Sequence, residues 1–233
     1  MGLPQQPAGR ADDAHLLERA VDGKELFTGN FLRVRRDTVA LPDGGQSTRE
    51  YVVHPGAVMI VPLTTDAQGA LRVVLERQYR YPVAQVIIEF PAGKRDGGED
   101  LLLCAQRELR EETGYLAGEW AHACVLHPLV AYSTEFIDVW FARDLVAGAR
   151  ALDDGEFLDV ITATPDELLQ WCRDGRVTDG KTLAQPLGKS GRRLCRKGSG
   201  HQRVDANFLG AKFGGKMTGK LQQARLGGAI VKG

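Results

Sequence analysis

The sequence predicts an α/β fold, in which a mixed, partly buried sheet is accompanied by helices. Three observations carry this reading. Between Phe31 and Phe90, apolar and β-branched residues fall into four runs separated by Pro and Gly. An amphipathic helix pattern follows over Asp100–Thr113. Strand-like runs then resume and lead to a second helix pattern opening at Pro165.

The elements follow in chain order. Residues 1–25 are polar and read as a poorly ordered lead, with a short helix around Ala14–Ala20. The stretch NFLRVRRDTVALPDG alternates from Phe31 to Val39 and then reaches a Pro-Asp-Gly turn. REYVVHPGAVMIVPL is apolar and β-branched, with Pro55-Gly56 as a break, and LRVVLERQYRYP and QVIIEFPAG complete a strand-rich half. In the helix, Leu101, Ala105 and Leu109 recur every four residues and give one apolar face. Glu99 and Asp100 suit its positive N-terminal end, and Gly114 stops it. EWAHACVLHP, EFIDVWFA and EFLDVITAT read as further strands. Thr164-Pro165-Asp166-Glu167 is a capping box with Pro at the first helical position, and the helix it opens ends by Gly175.

The chain of 233 residues is long enough for one domain with a real core plus appendages. Its net charge of zero hides an asymmetry. Residues 1–180 hold 18 Lys and Arg against 29 Asp and Glu, whereas residues 181–233 hold 12 against one, Asp205. The domain therefore spans residues 26–182. Residues 183–233 form a basic, Gly-rich tail, read as disordered or frame-altered, or as a nucleic-acid-binding extension. Nucleic acid is not expected as a partner except weakly, through that tail, because phosphate backbones need clustered positive charge. No apolar run approaches the ~20 residues that cross a bilayer, and the N-terminus lacks an apolar secretory core, so a cytoplasmic protein is expected. Cys104, Cys124, Cys172 and Cys195 form no CxxC pair and read as reduced thiols.

The helix carries an unusual charge pattern. Glu108, Glu111 and Glu112 project from one side within a turn, where like charges repel by about 0.2–0.5 kcal/mol per pair. One reading is a solvated acidic face paired with Arg107 and Arg110. The other is a divalent cation, which would reverse the sign of that repulsion. Oxygen-only ligands suit Mg²⁺ or Mn²⁺ better than zinc, and Mg²⁺ commonly shares its shell with substrate phosphates.

The full spacing runs Gly93, five residues, Glu99, seven residues, Arg107-Glu108-Leu109, one residue, Glu111-Glu112, one residue, Gly114-Tyr115. It resembles the box of the Nudix hydrolases in every defined position. The resemblance implies an α/β/α sandwich around a mixed sheet, with a loop–helix–loop metal site and N-terminal strands ahead of it. It also implies hydrolysis of a nucleoside diphosphate linked to another group. By analogy Glu108, Glu111 and Glu112 hold Mg²⁺ (or Mn²⁺), Glu99 supports the site, and Arg107 braces the glutamates.

The flanks IIEFPAG and LERQYRYP resemble the ADP-ribose pyrophosphatase and nucleotide-sugar branch. That likeness implies a metal-binding carbonyl at Ala92 and diphosphate binding by Arg80, whose guanidinium can bind bidentately. It implies nucleotide contacts from Arg49 and Glu50, with Glu135 also within reach. In LDDGEFLDVI, Glu156 is the candidate to activate the attacking water, with Asp154 behind it. Glu111 and Glu112 count as catalytic as well as metal-binding. The expected reaction converts ADP-ribose to AMP and ribose 5-phosphate. GDP-mannose or another nucleotide sugar is the alternative, and a non-catalytic nucleotide sensor a further one. The chain departs from the branch in two places. Leu129-Val130-Ala131 stand where many relatives carry a Ser-Pro-Gly-like turn. After VTDGKT (Val177–Thr182) the basic tail replaces the usual apolar helix. Related enzymes imply a homodimer whose N-terminal strands contribute to the partner's site.

Overall fold

The structure, a computed structural model, describes residues 11–185 of the chain. Its contacts divide these into two compact units.

The first unit comprises residues 11–56 and 127–136. After a 3-10 turn (Ala11–Leu16), strands β1 (Arg19–Thr28), β2 (Arg33–Ala40) and β3 (Gln46–Val52) form an antiparallel meander. A single bridge joins Val52 to Ser133. Asp37 is the buried polar centre of this sheet, accepting hydrogen bonds from Arg35 (3.1 Å) and the Tyr51 hydroxyl (2.7 Å). The first strand begins at Arg19, inside the segment expected to be a poorly ordered lead. Its side chains are mostly exposed, so it has no apolar alternation to reveal it. Its backbone is nonetheless paired along β2, from Arg19 opposite Ala40 to Thr28 opposite Arg33. The helix expected around Ala14–Ala20 is the 3-10 turn, which ends at Leu16.

The second unit comprises residues 57–126 and 137–185. Its strands are β4 (Ala57–Thr65), β5 (Leu71–Arg80), β6 (Gln85–Glu89), β7 (Ala92–Lys94), β8 (Tyr115–Leu126), β9 (Ile137–Ala147) and β10 (Leu158–Ala163). They form one mixed sheet in the order β10-β5-β4-β9-β8, with β6 paired to β5 and β7 to β4. The β4–β9 pairing is parallel and the others are antiparallel. Helices α1 (Leu101–Thr113), α2 (Pro165–Arg173) and α3 (Gly180–Leu183) complete the unit.

Strand β4 explains the layering. It is an almost unbroken apolar run because both of its faces are covered. Val58 and Ile60 pack with Cys104, Ala105 and Leu109 of α1. Met59, Val61 and Leu63 pack on the opposite face with Phe90, Phe141, Leu168 of α2 and Val177. This is the α/β/α sandwich expected from the sequence. Helix α2 opens with the full capping box, Thr164 and Glu167 satisfying each other's backbone N–H. The chain expected to form the basic tail lies outside the described residues from position 186 onward. Before it, Leu183 ends α3 and Gln185 is buried. Among the described residues, no helix is long and apolar enough to cross a membrane.

Candidate active site

Helix α1 sets the geometry. Asp100 caps it, accepting from the N–H groups of Leu102 (2.9 Å) and Leu103 (3.2 Å). Gly114 ends it at a φ of +75°, and its N–H reaches Arg110 O at 2.9 Å. Leu109 and Ala105 anchor the helix in the core, which turns Glu108 and Glu112, one helical turn apart, inward with them. Both carboxylates are buried, and Glu111 is half-buried.

Strand β7 closes over these side chains. The Ala92 N–H donates to Glu112 Oε2 at 3.0 Å. Next to it, Gly93 leaves an opening that the Glu108 carboxylate fills, so a Cβ at position 93 would overlap that group. Arg107 stands on the outer side of the cluster. It grips Glu99 through Nε (3.1 Å) and Nη2 (3.0 Å), and its Nη1 donates to Glu108 (2.8 Å) and Glu111 (3.1 Å). Its bond to Glu99 raises the Arg107 pKa further above the ordinary arginine value. In return the Arg107 guanidinium holds Glu99 down at about 2.

Three carboxylates behave in the opposite way. Burial pushes Glu108 up to about 7, against the pull of Arg107. Burial raises Glu112 and Glu76 well above the carboxylate range; the Glu76 charge adds to the shift of Glu112, and the charges of Glu89 and Glu156 add to that of Glu76. Glu76 lies on β5 and is 1% exposed, and its Oε1 has no hydrogen-bond partner among the described residues. The sequence reading missed it. The available signal was an acidic residue ending the apolar run Val73-Val74-Leu75.

Glu89 and Lys181 were missed as well. Glu89 sits between Ile88 and Phe90 on β6, directly opposite Glu76 in the strand register. Its Oε1 accepts from Arg80 Nε at 2.7 Å and its Oε2 accepts from Lys181 Nζ. Burial works against the Arg80 charge, yet Glu89, Glu112 and Asp179 raise its pKa above the ordinary arginine value. Glu156 follows the turn at Asp153, its N–H donating to Asp153 O at 3.0 Å. Gln78 Nε2 holds Glu156 Oε1 at 2.9 Å, and the Glu156 charge contributes to the raised pKa of Glu76, Glu108 and Glu112.

The second unit thus gathers Ala92, Glu108, Glu111, Glu112, Arg80 and Glu156. Arg49, Glu50 and Glu135 belong to the first unit. Arg49 Nε bonds Glu18 at 2.9 Å, and Glu50 accepts from Arg36 Nε at 2.7 Å. Glu135 lies 4.0 Å from His54 Nε2 and lines a small apolar pocket with Phe31, Val52 and Leu129.

As they stand, no three acidic, His or Cys side chains among the described residues close on a common point that would hold an ion. The chemistry of the cluster still fits a divalent cation. The donors are all oxygen, the Glu76 Oε1 is buried and unpaired among the described residues, and the Gly93 opening draws Glu108 against the backbone beside Glu112. Crowded carboxylates of this kind become favourable when a cation offsets their charge.

Fold, spacing and cluster together define a Nudix hydrolase, and the chain belongs to that family. Residues 53–185 match the NUDIX domain, and residues 18–52 match the nucleoside diphosphate sugar hydrolase N-terminal domain. The chain is 38% identical over 170 residues to the methanol dehydrogenase activator of Bacillus methanolicus, across 71% of this chain and 89% of that protein. It is 32% identical over 169 residues to the ADP-ribose pyrophosphatase of Bacillus subtilis (strain 168), across 72% and 89%. The ADP-sugar pyrophosphatase of Mus musculus is 31% identical over 164 residues, across 64% and 75%. The crystal structure of an ADP compounds hydrolase superposes with a TM-score of 0.63 at 21% identity, covering 72% of this chain and 89% of that one, a likeness of fold.

Proposed function

We propose that the protein hydrolyses the pyrophosphate bond of a nucleoside diphosphate sugar, with ADP-ribose giving AMP and ribose 5-phosphate. One observation carries this reading. A buried, charge-crowded set of glutamates, Glu76, Glu108 and Glu112, has two members, Glu76 and Glu112, within the electrostatic reach of Arg80, whose two Nη groups have no partner among the described residues. Such a site suits a cation and a diphosphate together. The names of the Bacillus subtilis and mouse relatives support ADP-ribose or an ADP-sugar as the substrate.

Glu108, Glu111 and Glu112, with the Ala92 carbonyl, would hold the cation, Mg²⁺ or, in its place, Mn²⁺. When bound, it supplies charge neutralisation at the diphosphate and a lowered pKa for water. Arg80 binds the diphosphate through its Nη groups and offsets charge that develops on the phosphate oxygens. Gln78 occupies Glu156 Oε1, which leaves Oε2 to take the proton of the attacking water. A new P–O bond forms as the bridging P–O bond breaks, and the leaving phosphate departs with its electron pair. Arg107 keeps Glu99, Glu108 and Glu111 in register. Arg49, Glu50 and Glu135 are assigned to the nucleotide, in a cytoplasmic homodimer whose N-terminal strands reach the partner's site. The basic tail has no part in the chemistry.

The test is a panel of nucleotide sugars, including ADP-ribose and GDP-mannose, with Mg²⁺ or Mn²⁺ and products identified by mass spectrometry. AMP and ribose 5-phosphate from ADP-ribose are expected. Turnover of GDP-mannose alone would replace the substrate, and binding without turnover would make the protein a sensor.

A further inference from the structure

The segment Val177–Thr182 takes no part in the reaction just proposed, yet its side chains converge behind Arg80. Asp179 Oδ2 caps α3, accepting from the Thr182 N–H (2.9 Å) and hydroxyl (2.6 Å). The Thr182 hydroxyl oxygen in turn accepts from the Phe90 N–H at 3.1 Å, which fastens α3 to the end of β6. Lys181 Nζ then bridges Glu89 Oε2 and Asp179 Oδ1, the latter at 3.2 Å. Glu89 and Lys181 have side-chain exposures of 2% and 13%, whereas Arg80 has 42%, so the charged chain runs outward from Lys181 to Arg80.

The two oxygens of Glu89 are divided between two cations. A carboxylate with both oxygens free takes an arginine bidentately, through Nε and one Nη or through both Nη groups. Here Lys181 occupies Oε2, and Arg80 is held by Nε alone. Both Nη groups therefore remain for a ligand. Lys181 also offsets the charge of Glu89, which would otherwise face Glu76 across the strand pair with one cation for support.

We propose that Lys181 is a positioning residue for Arg80. By holding Glu89 Oε2 it prevents Arg80 from folding into a two-point pair with Glu89, and it keeps the guanidinium edge presented to the diphosphate. The inference rests on the hydrolase reading above, in which Arg80 binds that diphosphate.

The test is a double-mutant cycle in the full chain, with Lys181→Met and Arg80→Ala alone and combined. Two quantities are measured: kcat/KM on ADP-ribose with Mg²⁺, and the affinity for inorganic pyrophosphate by calorimetry. Lys181→Met in the parent should lower both about tenfold, and in the Arg80→Ala background by less than about twofold, the signature of two residues acting as one. Lys181→Arg should restore most of the loss, and a charge-only contribution to folding would not separate the two backgrounds in this way. Lys181→Gln, smaller and still polar, replaces Lys181→Met if the latter does not melt cooperatively. Equal losses in both backgrounds would mean that Lys181 acts independently of Arg80, and an unchanged parent would mean that it has no role; either overturns the proposal. If the parent turns over no nucleotide sugar, the hydrolase reading fails, and the pyrophosphate cycle still decides the role of Lys181.

Discussion

The Glu108 carboxylate fills the space where a side chain on Gly93 would begin. The glycine that opens the box is thus required by its neighbour rather than by its backbone angles. Gly93→Ala should displace Glu108 and lower kcat/KM about a hundredfold, as a misplaced catalytic group does. Steady-state kinetics beside thermal melting would check this, and near-parental turnover would show that Glu108 can move without consequence.

Glu112→Gln should abolish hydrolysis and leave the fold intact. A neutral amide is a poor ligand for a hard cation, yet it still fits beside the Ala92 N–H and no longer repels Glu76 or Glu108. The EDTA-treated variant should melt at or above the parent at pH 8. Turnover within a few-fold of the parent would remove Glu112 from the site.

The raised carboxylates predict a pH profile for the protein stripped of metal. Folded Glu108 binds its proton more tightly than unfolded Glu108, whose ordinary value is 4.5. Between 4.5 and about 7 the folded chain therefore holds more protons, and stability falls as pH rises. Glu108 alone accounts for on the order of 3 kcal/mol over that window. Glu76 and Glu112, raised by burial, extend the decline to higher pH. Urea denaturation between pH 5 and 8.5 in EDTA should show the decline, and millimolar Mg²⁺ should flatten it. A stability that rises over this range would contradict the burial of these groups in the charged state.

Arg80→Ala should lower kcat/KM about a hundredfold, the usual scale for losing a preorganised donor to a charged oxygen. Arg80→Lys should recover a fraction only, because an ammonium cannot hold Glu89 and offer a two-pronged edge at once. Equal kcat/KM for the parent and both variants would exclude Arg80 from diphosphate binding.

Truncation after Gln185 should leave kcat/KM unchanged. The box, Arg80, Glu156 and Lys181 all precede it, and Gln185 is itself buried. Activity and melting of the shortened chain, compared with the full one, check this. Joint loss of both would show that the residues beyond position 185 support the site.

The helix that carries the candidate site could be read from the sequence because helix signals are local. Asp100, Gly114 and the spacing from Gly93 to Tyr115 lie within one short stretch and fix which residues share a face. Glu76, Glu89 and Lys181 were hidden for the opposite reason. Glu76 and Glu89 meet only through the pairing of β5 with β6, and Lys181 reaches Glu89 across 92 positions of chain. A strand pattern shows that a carboxylate lies among apolar neighbours, but not which cation will find it. Strand β1 was obscure because its stability lies in backbone pairing, and charged side chains such as Lys24 and Glu25 carry no trace of that.

The parallel pairing of β4 with β9 also governs how the chain reaches this state. Ala57 lies beside Ile137, 80 positions later, and these two strands form the middle of the sheet. The hairpin of β5 with β6 and the turn-by-turn growth of α1 need only nearby residues, so they can form while a nascent chain is still emerging. The central ladder must wait for β9, and loop closure over such a distance slows the final step. Until then β4, apolar on both faces, has neither its β9 partner nor the full cover of its core, which makes Ala57–Thr65 the segment most exposed to misassociation during synthesis.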